Sequence, residues 1–183
     1  MSKEELLEEL EDGVYSVGDE IVHAVYGVGK ITKVEEKELE GETNRYYVVE
    51  TENSTFWMPI KEADADRTRL VVSSKVIEDE VIDVMKAEPQ EMADHYKTRR
   101  KTISDAKNDG NIITTAEVVR DLAYRRAVDR LNTTERRGLN TLKKRLIKEW
   151  SASTGEEPRK VRTRINQILR ENIEEKANKE ETD

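Results

Sequence analysis

The sequence predicts an α+β protein of two modules: a small antiparallel β-barrel or curled sheet over residues 13–72, followed by an all-helical bundle over residues 73–183. A short acidic extension, residues 1–12, precedes them. Three observations carry this reading. Runs of β-branched and aromatic residues recur at about ten-residue spacing as far as Val72, separated by turn residues. From Ser73 onward the apolar residues instead fall three and four apart, the helical period. The charge also changes sign along the chain: residues 1–70 hold 8 Lys or Arg against 18 Asp or Glu, whereas residues 85–170 hold 21 against 12. The net charge of −8 over 183 residues therefore describes neither half. An acidic module is repelled by phosphate and a basic one gathers near it.

Taken in order, residues 1–12 carry Leu6, Leu7 and Leu10 behind Ser2 and read as a short helix or a frayed tail. Glu20–Val25 and Lys30–Val34 read as strands, with Gly27 and Gly29 giving the turn between them its backbone freedom. Arg45–Glu50 follows Gly41, Thr55–Pro59 follows Asn53-Ser54, and Arg69–Val72 makes a fifth strand. Pro59 cannot donate to a ladder and should end its strand. Five such strands fit a barrel of SH3 or Tudor type. Ser73-Ser74 cap a first helix bearing Val76, Ile77, Val81, Val84 and Met85, and Pro89 stops it and begins a second that runs to Asn108-Asp109-Gly110. A third starts at the capping box Thr114–Glu117 and buries Val118, Val119, Leu122 and Ala123. A fourth, from Thr133-Thr134, places Leu139, Leu142, Leu146, Ile147 and Trp150 on one face. A fifth, after Pro158, carries Val161, Ile165, Ile168, Leu169 and Ile173, with a frayed polar tail from Glu174.

Composition excludes several chemistries. With no Cys and two isolated His, His23 and His95, there is no disulfide framework, thiol nucleophile or ordinary metal site. No apolar run is long enough to span a bilayer, and the start is acidic where a secretory signal would be basic, so a cytoplasmic protein is expected. Gly27-Val28-Gly29-Lys30 lacks the phosphate-loop spacing and joins two strands rather than opening a helix. His23 reads as structural. The carboxylate pairs Glu35-Glu36 and Asp64-Asp66 sit in polar segments where nothing would raise a pKa. The expectation is a protein that is not an enzyme and needs no cofactor.

Two features point to binding. Consecutive strand residues face opposite ways, so one of Phe56 and Trp57 must leave the core. Either Trp57 is an exposed aromatic anchor, or it is buried and Phe56 lies under other cover. In the helical module, Arg99-Arg100-Lys101, Arg125-Arg126, Arg136-Arg137 and Lys143-Lys144-Arg145 form basic clusters of the kind that contacts phosphates without reading sequence.

Val17–His23, Tyr26-Gly27-Val28-Gly29-Lys30-Ile31, Gly41, Tyr46–Val49 and Trp57-Met58-Pro59 resemble, in that order, the RNA-polymerase-interacting domain of the bacterial CarD/CdnL family. The same domain occurs in transcription-repair coupling factors. Ala116–Leu122 and Arg136–Leu146 are similar to the family's helical domain, and the likeness spans about residues 14–150. The resemblance implies a Tudor-like domain that adds its sheet edge to the polymerase β subunit, with Lys37, Arg45, Tyr46, Tyr47 and Trp57 at the contact. It also implies a helical domain on promoter DNA at the upstream edge of the melted region, with Met92, His95, Lys97, Arg99, Arg100, Arg125, Arg126, Arg136 and Lys143 facing it. Two positions depart from the family pattern. Met92 stands where the family wedges a Trp into the minor groove, and Asp94 and His95 stand at basic positions. The implied partners are RNA polymerase and promoter DNA, bound by a monomer, with no membrane and no cofactor. The alternative is an adaptor that docks on the polymerase or a helicase and binds a second protein instead of DNA.

Overall fold

The structure is a computed structural model and describes residues 14–39, 42–60 and 67–180. The expected N-terminal helix, Gly41 and the Asp64-Asp66 pair lie outside the described residues. The chain divides into two compact units, residues 1–71 and 72–183.

The first unit is a five-stranded antiparallel sheet of β1 (Glu20–His23), β2 (Gly27–Leu39), β3 (Glu42–Thr51), β4 (Thr55–Pro59) and β5 (Thr68–Leu70), in the order β4-β3-β2-β1-β5. Gly27 opens β2 with φ +77°, a conformation that side chains disfavour. Gly29 serves packing instead, since a Cβ there would lie 2.7 Å from Val49 Cγ1. One face buries Ile21, Ile31, Tyr47, Val49 and Met58, with Tyr15, Val34, Phe56 and Ile60 around them. Tyr15 closes this core: its carbonyl accepts from the Tyr47 hydroxyl (2.8 Å) and its own hydroxyl donates to the Thr68 carbonyl (2.8 Å). The sheet is open rather than a closed barrel. Among the described residues no ladder joins β4 to β5, although the Thr68 hydroxyl donates to Met58 Sδ (3.4 Å).

Strand β2 is longer than the sequence suggested, and a bulge makes that length useful. Register slips between Ile31 and Lys33, where Thr32 is the extra residue and donates its hydroxyl to the Val48 carbonyl (3.3 Å). A strict two-residue period from the buried Ile31 would send Lys33 and Glu35 inward. The inserted residue reverses the phase, so Val34 joins the core while Lys33, Glu35 and Lys37 take the outer face.

The second unit is helical. Helix α1 runs continuously through Ser74–Val76, a π turn Ile77–Val81 and Ile82–Lys86, with Ser73 as its N-cap. The Ile82 N–H reaches back to the Ile77 carbonyl, and the wider turn buries Ile77, Val81, Ile82 and Met85 together. Then come α2 (Tyr96–Asp109), α3 (Ile112–Val128), α4 (Thr133–Thr154) and α5 (Pro158–Glu180). Helix α3 starts two residues before the expected box because Asn111 caps it, accepting from the Ile113 (2.7 Å) and Thr114 (3.4 Å) amides. Helix α4 starts where expected, with Asn132 and Glu135 forming a reciprocal capping box. Helix α5 continues past Glu174 to Glu180. The core is built on Ile77, Met85, Leu122, Leu142, Leu146, Trp150 and Ile165. Gly138 lets α2 and α4 approach, for a Cβ there would sit 2.6 Å from Ile103 Cγ2.

The stretch from Ala87 to His95 is not helical, contrary to the expectation that Pro89 begins a helix. Side chains from elsewhere occupy the backbone groups a helix would use. Asn172 donates to the Met85 and Ala87 carbonyls (2.8 Å each), Lys176 to the Pro89 carbonyl (2.9 Å), and Asp121 accepts from the Gln90 amide (2.9 Å). Arg99 donates to the Ala93 (2.8 Å) and Asp94 (2.5 Å) carbonyls.

Candidate partner-binding faces

The outer face of β2, β3 and β4 holds a compact cluster built by the Thr32 bulge. Trp57 is 45% exposed while Phe56 packs on the core, which resolves the alternatives left by their adjacency. The indole N–H donates to Glu35 Oε2 (2.8 Å) and the Lys37 ammonium stands 3.4 Å from the ring centroid, a cation–π contact. Glu35 also pairs with Lys33. Bonds from Lys33 and then Trp57 hold its carboxyl below the usual carboxylate range. Val48, opposite both Trp57 and Lys33, is buried beneath them. The indole is thus held at a fixed tilt by an acid at its edge and a base on its face.

Strand β4 is also one end of the sheet. Thr51 N–H donates to Ser54 O (2.8 Å) at one end of the β3–β4 pair and Ile60 N–H to Arg45 O (3.0 Å) at the other. Antiparallel ladders alternate, so Phe56 and Met58 make the hydrogen-bonded pairs and Trp57, opposite Val48, a non-bonded one. The N–H and C=O of Thr55 and Trp57, and the C=O of Pro59, therefore point away from β3. The edge that carries Trp57 has the polarity of a strand-pairing site.

Of the residues singled out on this module, Lys37, Tyr46 and Trp57 come together on the outer face, where Tyr46 opposes Glu35. Arg45 is half-buried and opposes Glu36. Tyr47 is different: it is a core residue at 3% exposure, bonded to Tyr15, and presents no surface to a partner. His23 is structural, its Nδ1 accepting from the Val25 (3.0 Å) and Tyr26 (3.3 Å) amides to shape the β1–β2 turn.

In the helical unit the basic residues divide by burial. His95, Lys97, Arg100, Arg126 and Arg136 are exposed. Arg99 is not: it lies in the core, 2.5 Å from Glu135, itself 1% exposed. Burial would raise the Glu135 pKa, but the Arg99 bond, the Asn132 amide and the Arg99 and Arg125 charges outweigh it and hold the carboxylate ionised below its usual range. Arg125 is committed to Asp129 (2.8 Å), with Nε 3.8 Å from Glu135. Both arginines therefore organise the protein rather than offer free charge. Met92 is half-buried against the helical core, and Asp94 beside it is exposed. Lys143 is half-buried and bonded to Asn166. Sequence reasoning missed Arg120, Asn172 and Lys176, the buried donors that help fix residues 84–90. Arg120 donates to the Val84 carbonyl (3.0 Å) and to Asp121 (2.7 Å). Its place on the helical stripe of Ala116 and Ala123, four residues after one and three before the other, was the available signal.

Residues 15–71 match the family described as the CarD-like/TRCF RID domain, and residues 80–166 match the CarD C-terminal domain. The chain is also similar to the "Putative transcription factor YdeB" of Bacillus subtilis (strain 168), with 28% identity over 144 residues, covering 78% of this chain and 94% of that protein. With both domains present in order over most of its length, the chain belongs to the CarD family of RNA-polymerase-interacting transcription regulators.

Proposed function

We propose that the protein regulates bacterial transcription without catalysis, by adding strand β4 to a sheet of the RNA polymerase β subunit and setting its helical unit against promoter DNA near the upstream edge of the melted region. In this reading residues 13–72 are a Tudor-like docking domain, residues 73–183 the DNA-facing domain, and the protein works as a monomer at the nucleoid. The observation that carries it is Trp57, half-exposed and braced by Glu35 and Lys37, on the strand whose outward backbone groups lack a ladder partner among the described residues. Edge addition draws affinity from the backbone and selection from the alternate side chains. Tyr46 shares the face of that anchor, Arg45 stands next to it on β3, and Lys97, Arg100, Arg126 and Arg136 supply exposed charge toward phosphate. The test is capture of purified RNA polymerase by wild type and by Trp57→Ala. Retention of the β subunit by wild type, reduced at least tenfold in the variant, is expected; failure of wild type to bind refutes the reading.

A second reading, an adaptor that binds polymerase and another protein but not DNA, is favoured by Met92, which packs into the bundle, and by the acid at Asp94. Open-complex lifetime with Met92→Trp and Asp94→Arg separates the two. A longer lifetime supports DNA contact at this segment, and no change supports the adaptor.

A further inference from the structure

Between α4 and α5 lies an open groove of about 340 Å³, lined by Asn140, Lys143, Lys144, Ile147, Arg162 and Asn166. That volume is at the lower end of the range for small-ligand sites. Three of the six lining residues are cations, and Arg126, from the end of α3, acts on Lys143 as well. Several cations elsewhere in the unit meet carboxylates: Arg99 with Glu135, Arg120 with Asp121, Arg125 with Asp129, Arg164 with Glu78 and Glu156. Around the groove they do not. Among the described residues Lys143, Lys144, Arg126 and Arg162 have no carboxylate within ion-pair distance, and Lys143 donates to the neutral amide oxygen of Asn166. Burial, then the charges of Arg126 and Arg162, push the Lys143 ammonium below its usual range. The fold thus holds a half-buried cation against two others with nothing to neutralise them, and an anion would relieve that repulsion.

We propose that the groove binds a phosphate-bearing anion of two or more negative charges, with Lys143, Lys144 and Arg162 on its oxygens. A phosphate group suits this set because it presents several strong acceptors at once, matching two ammonium groups and a guanidinium fork. The amides of Asn140 and Asn166 add neutral donors, and Ile147 forms an apolar wall. The phosphate is either that of a free oligophosphate compound or that of a nucleic-acid backbone. The site stands on the groove itself and does not require the promoter contact proposed above.

The test titrates the full-length protein with inorganic pyrophosphate at low salt, following heat and the NMR signal of the Lys143 side chain. Saturable binding is expected, with the Lys143 pKa rising as the site fills. Binding should weaken at least tenfold in the Lys143→Met/Arg162→Met variant. It should change less than twofold in Lys75→Met/Lys86→Met, which removes the same charge from α1. No saturable binding, a Lys143 signal unmoved by pyrophosphate, or equal losses in both variants overturns the proposal. Duplex DNA is then added to the pyrophosphate complex: displacement identifies a nucleic-acid phosphate as the occupant, and retention identifies a free anion. A protein that binds pyrophosphate but no duplex keeps this site and refutes only the promoter contact.

Discussion

Replacing Arg99 by methionine should destabilise the helical unit by about 3–5 kcal/mol, the cost of leaving one partner of a buried ion pair behind. Glu135 is 1% exposed, and in the variant would keep only the Asn132 amide (2.9 Å) and the Arg125 guanidinium, whose Nε is 3.8 Å away. The Ala93 and Asp94 carbonyls would lose their shared donor as well. The second variant decides the cause. Arg99→Met/Glu135→Leu removes the charge together with its partner, and buried pairs replaced by apolar groups are often near neutral. Part of the α4 cap goes with Glu135, about 1 kcal/mol, so the double variant should still be more stable than Arg99→Met alone. Urea unfolding would be followed by Trp150 fluorescence in a Trp57→Phe background, which leaves one indole in the chain, within the helical unit, and makes the signal specific to it. A loss below about 1 kcal/mol in Arg99→Met, or additive losses in the double variant, would refute the assignment of Arg99 as a structural cation.

Two further outcomes use the same signal. Gly138→Ala places a methyl 2.6 Å from Ile103 Cγ2 and should cost about 1–3 kcal/mol through overpacking of α2 against α4, even though alanine is the better helix former. The Glu135 carboxyl has a folded pKa below its unfolded value of about 4.3. Its stabilisation is therefore present above pH ~4.3 and lost as pH falls through the folded value, so the urea midpoint should drop in that acid range and drop less in Glu135→Gln.

How much of this could be read in advance depends on how far apart the deciding residues lie. Leu142, Leu146 and Trp150 are one helical turn apart, and local spacing suffices to place all three in the core, where they are found. The strand pattern was likewise local, and Thr55–Pro59 does end at Pro59, although its missing N–H lies on the outer edge and the Ile60 N–H still reaches the Arg45 carbonyl. The outer face of the sheet was less accessible, because the bulge at Thr32 exists only relative to β3, and without it Lys33 and Glu35 belong on the wrong side. Arg99 sits in a run of three basic residues that look alike in sequence, and it is Glu135, 36 positions away, that turns this one inward. For the same reason Pro89 reads as a helix start, although donors on α5 and an acceptor on α3 have already taken the neighbouring backbone groups.

The stretch from Ala87 to His95 would ordinarily be the first part of a bundle to open, being irregular and short of local backbone bonds. Here its hydrogen bonds run to α2, α3 and α5, so it cannot come loose until the packing among those helices gives way. Hydrogen exchange at the Gln90 amide should then proceed with the cooperative unfolding of the bundle rather than by loop fluctuation. The shape in which Met92 and Asp94 are presented is set by the bundle as a whole.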